Sequence, residues 1–342
     1  MQNRSRTRPI LLAGLLLLGS LIATGSGALA AKEATPVPEL SQTQEIENLL
    51  ASCDAIFGVV IIDPDDQVVF EENADLPFVS ASLYKLVLLA KILAGVERGE
   101  LTLDQEIPIV PDYYLLANGD DSYFAYDAIG ASITLEELIY SAGAYSSNVG
   151  AQALMSLTSP DELEAFAADL GLAETHYWVE ANEVHDRYAS TTNQQQSPDY
   201  TESIAFVESA AGDDVINVTT PRDMATFFRL LRDDQLVSPL VSWRVKQVLG
   251  ARVINDRLPA LLPAGAQVIH KTGNLDGVFH DAGIVQTPSG PVIVIAMAQA
   301  ATDADMTYSV EQRLGLFSYQ LGSGRPKPSP ERATPASTWS IW

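Results

Sequence analysis

Cysteine is almost absent from this 342-residue chain: Cys53 stands alone, so an internal disulfide and a cysteine-built metal site are both excluded. Histidine is scarce as well. His176, His185, His270 and His280 are scattered without the His-Glu-x-x-His spacing of a zinc hydrolase, so no metal and no cofactor are expected. Positive charge is the third shortage. Twenty Lys plus Arg stand against 44 Asp plus Glu, a net charge of −24, which sets nucleic acid and anionic membrane surfaces aside as partners. What the chain does have is apolar content, 47% hydrophobic against 19% charged, enough to bury the core of one large domain or two small ones.

The N-terminus has the three parts of a secretory signal. Arg4, Arg6 and Arg8 precede an apolar run from Ile10 to Ile22, and Ala28-Leu29-Ala30 has the form of a cleavage site. The run is shorter than the ~20 residues a membrane-spanning helix needs, and no cysteine follows to carry a lipid. Residues 1–30 are therefore read as a signal peptide cleaved near Ala30, giving a secreted protein, periplasmic or extracellular, with no stable membrane anchor. Cleavage removes three arginines and no acid, so the mature chain is more negative still. Residues 31–40 read as a proline-bearing linker and 323–342 as a Ser/Pro-rich tail, which leaves 41–322 for a catalytic domain.

Within that span the hydrophobic period changes twice. Ser41 is placed to cap a helix through Leu50, and Ile56 to Ile62 and Val68 to Phe70 are strand-like runs around Asp63-Pro64-Asp65-Asp66. From Ser82 to about Leu249 the spacing is helical, in Leu86 to Val96, Leu135 to Ile139, Val149 to Leu157, Leu163 to Leu170 and Met224 to Leu231. Strand-like runs return at Val268 to Lys271, Ala282 to Gln286 and Val292 to Ala296, before a helix over Tyr308 to Leu321. Two isolated hairpins would not be stable, so strands from both ends are expected to pair. The predicted fold is α/β (α+β): an antiparallel sheet flanked by terminal helices, built from 41–80 and 265–322, with an inserted all-helical lobe over 81–264. A site is expected in the cleft between the lobes.

Three short strings carry chemistry. Ser82-Leu83-Tyr84-Lys85 places a serine and a lysine one helical turn apart, on one face, where the amine can reach the hydroxyl and the helix N-terminus favours developing negative charge. Ser146-Ser147-Asn148 lies between two helical runs, and Lys271-Thr272-Gly273 ends a strand. Each alone could be a cap or a turn. Together and in this order they are the Ser-x-x-Lys, Ser-x-Asn and Lys-Thr-Gly elements of penicillin-recognising serine hydrolases.

On these residues the chain resembles the class A β-lactamase family and the penicillin-binding enzymes that share its fold. The similarity extends over about Ser41 to Gly322, including Thr219-Thr220-Pro221 and Leu262-Pro263-Ala264-Gly265. The resemblance implies Ser82 as the acylated nucleophile, Lys85 as the group that accepts its proton or orients a water that does, and Ser146 as the donor to the departing nitrogen. It further implies an oxyanion hole from the backbone N–H groups of Ser82 and Asn274, a substrate-binding strand Lys271-Thr272-Gly273 whose Lys271 and Thr272 hold the substrate carboxylate, and an acyl side chain bonded by Asn148. Family members deacylate through a loop glutamate, and Glu180 is the best match, with Glu183 a nearby competitor.

Departures from the pattern are concentrated around that loop. Four residues beyond Glu180 the family has an asparagine and this chain has Val184, with Asn182 the nearest amide. Thr191 to Asp214 reads as a polar insertion, Ser147 replaces the middle acid of Ser-Asp-Asn, and no arginine follows Lys271-Thr272-Gly273, leaving Arg257 as a possible substitute. The expectation is a monomeric, secreted serine hydrolase acting on small β-lactams. The alternative is a D-alanyl-D-alanine peptidase or another peptide or ester hydrolase. A non-catalytic binding module is a third reading, which the intact Ser82, Lys85, Ser146 and Lys271 set opposes.

Overall fold

The computed structural model describes residues 42–116, 121–188, 197–212 and 214–324. The signal peptide, the linker, the Ser41 cap and the tail beyond residue 324 lie outside these. In chain order the elements begin with α1 (Gln42–Leu50), β1 (Ile56–Ile62), β2 (Val68–Glu72) and β3 (Phe78–Val79). A 3-10 turn over Ala81–Leu83 leads into α2 (Tyr84–Glu97), followed by β4 (Glu106–Pro108), α3 (Pro111–Leu116) and β5 (Ser132–Thr134). Then come α4 (Leu135–Ala144), α5 (Asn148–Met155), α6 (Pro160–Asp169), β6 (His176–Glu180), α7 (Ala181–Tyr188), α8 (Pro198–Ala211) and β7 (Val215–Thr219). The chain closes through α9 (Pro221–Arg232), α10 (Pro239–Gly250), β8 (Val268–Leu275), β9 (Val278–Thr287), β10 (Gly290–Gln299) and α11 (Ala304–Ser323).

Strands from the two ends of the domain form one five-stranded sheet in the order β2-β1-β10-β9-β8, with every pair antiparallel. β1 reads as an unbroken apolar run because both of its faces are covered. Ile56, Val60 and Ile62 point into the larger core, shared with α2, α4, α5 and α9. Phe57, Val59 and Ile61 face the smaller core, beneath α1 and α11. Gly58 allows a close approach: a Cβ there would lie 2.4 Å from the Pro221 ring and 2.7 Å from Phe78, so α9 and β3 dock onto the sheet at a point with no side chain.

The helical region also carries strands that its periodicity did not disclose. β3, β7 and β6 form a three-stranded sheet, and β4 pairs with β5. Four helices begin with a hydroxyl cap followed by proline, at Ser159-Pro160, Ser197-Pro198, Thr220-Pro221 and Ser238-Pro239. The second of these starts α8, so the segment read as a polar insertion contains a helix whose inward residues are Tyr200, Ile204, Val207 and Ala211. Ser203 of α8 donates to Pro77 O (2.5 Å) and accepts from Gln299 Nε2 (2.8 Å), which ties the helix to β3 and β10 beside the nucleophile turn.

Candidate active site

Ser82 sits in the 3-10 turn that winds into α2, preceded by Ala81 at φ +43°, a left-handed conformation costly for a residue with a Cβ. β8 runs against this turn. A Cβ on Gly273 would lie 3.2 Å from Ser82 N and 3.3 Å from Ser80 O, tight contacts that a glycine avoids, so the Lys-Thr-Gly strand packs closely against the nucleophile's backbone N–H.

Lys85 is fully buried one turn later in α2. Its Nζ donates to Ser146 O at 2.6 Å and to Asn148 Oδ1 at 2.7 Å, so it grips the Ser146-Ser147-Asn148 turn. Burial lowers its pKa to about 7; the Arg252 charge adds to that lowering, while the Asp121 carboxylate opposes it. A neutral amine has two N–H donors, one for each of these oxygens, and a lone pair besides.

The second lysine completes the pair from the sheet. Lys271 on β8 is fully buried and donates to Ser146 Oγ (2.7 Å) and to Thr272 O (2.7 Å). Its pKa is held well below the usual lysine range by burial, and then by the charges of Arg252 and Lys85. Ser146 has φ +63°, and its hydroxyl accepts from Lys271, which leaves its own proton free to donate. Asn148 stands exposed at the rim. Asn274 is exposed just beyond Gly273, and its side chain is committed, Oδ1 to Arg257 and Nδ2 to Tyr308.

The arginine at Thr272 is Arg252, not Arg257. Arg252 follows α10, is buried, and donates through Nη2 to Thr272 Oγ1 and through Nη1 to Gly143 O (3.1 Å). Its Nε has no partner among the described residues, and burial lowers its pKa to about 10. Arg257 lies behind the strand, donating to His280 O (2.6 Å) and Tyr308 (3.0 Å) with its guanidinium over the Tyr308 ring, and Glu311 3.4 Å from its Nε. No signal in the sequence marks Arg252, because it belongs to no motif and lies 20 residues from its partner. Arg252, still charged near neutral pH, stands with the two lysines as a buried basic group that favours an anionic ligand, and an anion bound there would favour the protonated form of either lysine.

Glu180 is not gathered into this cluster. It ends β6 opposite Val215 with its side chain exposed. Glu183 lies on α7 and pairs with Arg187 at 3.1 Å. The carboxylate whose charge acts on Lys85 is Asp121. Asn182 is exposed and Val184 is buried. Among the described residues no group of three or more His, Cys, Asp or Glu is arranged to hold a metal ion.

The site thus gathers a serine on a 3-10 turn, a buried lysine one turn later, and a second serine bonded to a buried lysine on β8. The profile of the beta-lactamase enzyme family matches residues 41–320, and this chain belongs to that family. It is similar to the extended-spectrum beta-lactamase PER-1 of Pseudomonas aeruginosa, at 25% identity over 277 residues, covering 77% of this chain and 81% of that protein. Among solved structures, an ancestral class A beta-lactamase superposes with a TM-score of 0.66 at 25% identity, covering 82% of this chain and 99% of the other. An acyl-enzyme complex of PBP-A with penicillin G shares the fold, with a TM-score of 0.65 at 21% identity over 82% of this chain and 95% of that one. The fold is that of class A β-lactamases, a mixed helix and antiparallel-sheet architecture.

Proposed function

We propose that this protein is a secreted serine hydrolase that opens β-lactams through an acyl-enzyme on Ser82, with deacylation as the slow step. The observation that carries the first part is the single network joining Lys85, the Ser146 turn and Lys271 against the Gly273 side of the nucleophile turn. Ser82 Oγ attacks the lactam carbonyl and gives its proton to neutral Lys85. The new C–O bond gives a tetrahedral oxyanion, whose collapse breaks the C–N bond while the proton reaches the departing nitrogen through Ser146. Backbone N–H groups of Ser82 and Asn274 face the oxyanion. The substrate carboxylate lies against Lys271, Thr272 and Arg252, and Asn148 bonds the acyl side chain.

Water then cleaves the ester and returns a proton to Ser82. Glu180, the residue expected to activate that water, is exposed, and this supports a long-lived adduct. The same observation favours one second reading, a D-alanyl-D-alanine carboxypeptidase, for which a β-lactam is a covalent trap. Incubation with a fluorescent penicillin and with a chromogenic cephalosporin separates the cases. A Ser82-dependent adduct with slow turnover supports the proposal, and release of D-alanine from a D-Ala-D-Ala peptide moves it to the peptidase. Absence of any Ser82-dependent adduct overturns both.

A further inference from the structure

The Ser146-Ser147-Asn148 turn is held from two directions. Lys85 and Lys271 grip it from beneath. From the other direction comes Asp121, in the loop between α3 and β5. Ser147 Oγ donates to both Asp121 oxygens, at 2.9 and 3.0 Å, and the Val149 N–H donates to Oδ2 at 2.8 Å. The carboxylate also closes its own loop, accepting from Tyr123 N (2.9 Å) and Phe124 N (2.8 Å). Two neighbours reinforce the junction: Ser122 Oγ donates to Tyr145 O at 2.8 Å, and the Tyr123 ring meets Tyr145 edge-on with centroids 4.8 Å apart. A solvated turn carboxylate would bond its own loop only, whereas this one spans 26 and 28 residues to reach the turn that carries Ser146 and Asn148.

We propose that Asp121 is a positioning residue of this site, supplying from a separate loop the carboxylate that fixes the Ser146-Ser147-Asn148 turn in register with Lys85. Chemically it takes the place of the acid that Ser147 lacks. Its catalytic meaning rests on the acyl-transfer reading above. The charged and titratable groups that face Lys85 are Asp121 from this loop, Arg252 beyond α10, Lys271 on β8 and the Tyr84 ring 5.8 Å away on its own helix. Of these Asp121 is the anion, so it favours the protonated amine and opposes the pull of burial and of the other cations.

Asp121→Asn keeps the size and one acceptor oxygen and removes the charge. With lysine carrying carbon-13 in the side chain, the Lys85 titration read by NMR is expected to move to lower pH in the variant. The plateau rate of acylation by a fluorescent penicillin is expected to fall about tenfold or more, because the turn loses its place. Adding Ser147→Asp to Asp121→Asn returns an acid to the turn and is expected to restore both readouts at least in part. This double variant keeps the test available if the single one does not fold. An unmoved Lys85 midpoint, an unchanged plateau, or no restoration in the folded double variant overturns the proposal. Should the parent fail to acylate, the acyl-transfer reading falls, while the Lys85 titration still decides the role of Asp121.

Discussion

The two halves of the proposed reaction are built on very different parts of the molecule. In the acylating half, short hydrogen bonds interlock Lys85, Ser146 and Lys271, both lysines are buried, and β8 packs at Gly273 against the backbone of the Ser82 turn. The residues expected to serve the deacylating half are not built in: the Glu180 carboxylate is exposed at the end of a five-residue strand, and Glu183 is turned to Arg187. Burial is what separates them in chemical terms. It lowers the Lys85 pKa to about 7, which suits that amine to act as a base near neutral pH. A site so divided should load faster than it empties.

Mutations that strike the buried half should have the largest effects. Ser82→Ala is expected to abolish the fluorescent-penicillin adduct, read on a denaturing gel. Lys85→Met removes the base and should slow acylation by about 10²- to 10⁴-fold. The pH profile of acylation sharpens the same point. Lys85 must be neutral to accept a proton, and a lowered lysine pKa means that the neutral form is gained as pH rises through about 7. The acylation rate should therefore climb across that pH and level above it; a flat profile between pH 5 and 9 would remove Lys85 as the base.

Arg252→Ala tests the anion side of the same half. Loss of one charged hydrogen-bond partner to the substrate carboxylate should lower kcat/KM by about ten- to a hundredfold, chiefly through KM, for substrates that carry a carboxylate. An ester or amide lacking the carboxylate should lose far less. Equal losses for both substrates would place Arg252 in support of the Thr272 strand only. The smallest effect is expected from the other half, where Glu180→Gln should change the deacylation rate by less than about threefold, as is usual for an exposed side chain outside the reacting geometry.

The same division explains what the sequence discloses. Ser82 and Lys85 share one helical turn, Lys271 to Gly273 are consecutive on one strand, and Ser147 caps the helix after Ser146. Each string fixes its own local geometry, so the motifs are legible before any fold is known. The five-stranded sheet is legible for a related reason: its inner strands are continuous apolar runs at both ends of the domain. Asp121 and Arg252 are not legible, because each reaches the site across 20 residues or more and carries no periodic or local signal. Between these extremes lies α8. Its Ser197-Pro198 start and the helical spacing of Tyr200, Ile204, Val207 and Ala211 were available, but the polar composition around them concealed the pattern. β6 and β7 are short strands between helices and are specified by pairing, β7 with β3 and β6 with β7, more than by their own residues.

Loading and emptying of the site should be unequal, and a pre-steady-state burst reads both in one trace. Mixed with excess chromogenic cephalosporin, the parent enzyme should release about one equivalent of chromophore rapidly. A much slower steady phase should follow, and Glu180→Gln should leave it nearly unchanged. Rapid multiple turnover without a burst, converted by Glu180→Gln into a stable adduct, would contradict the account and place Glu180 at the ester.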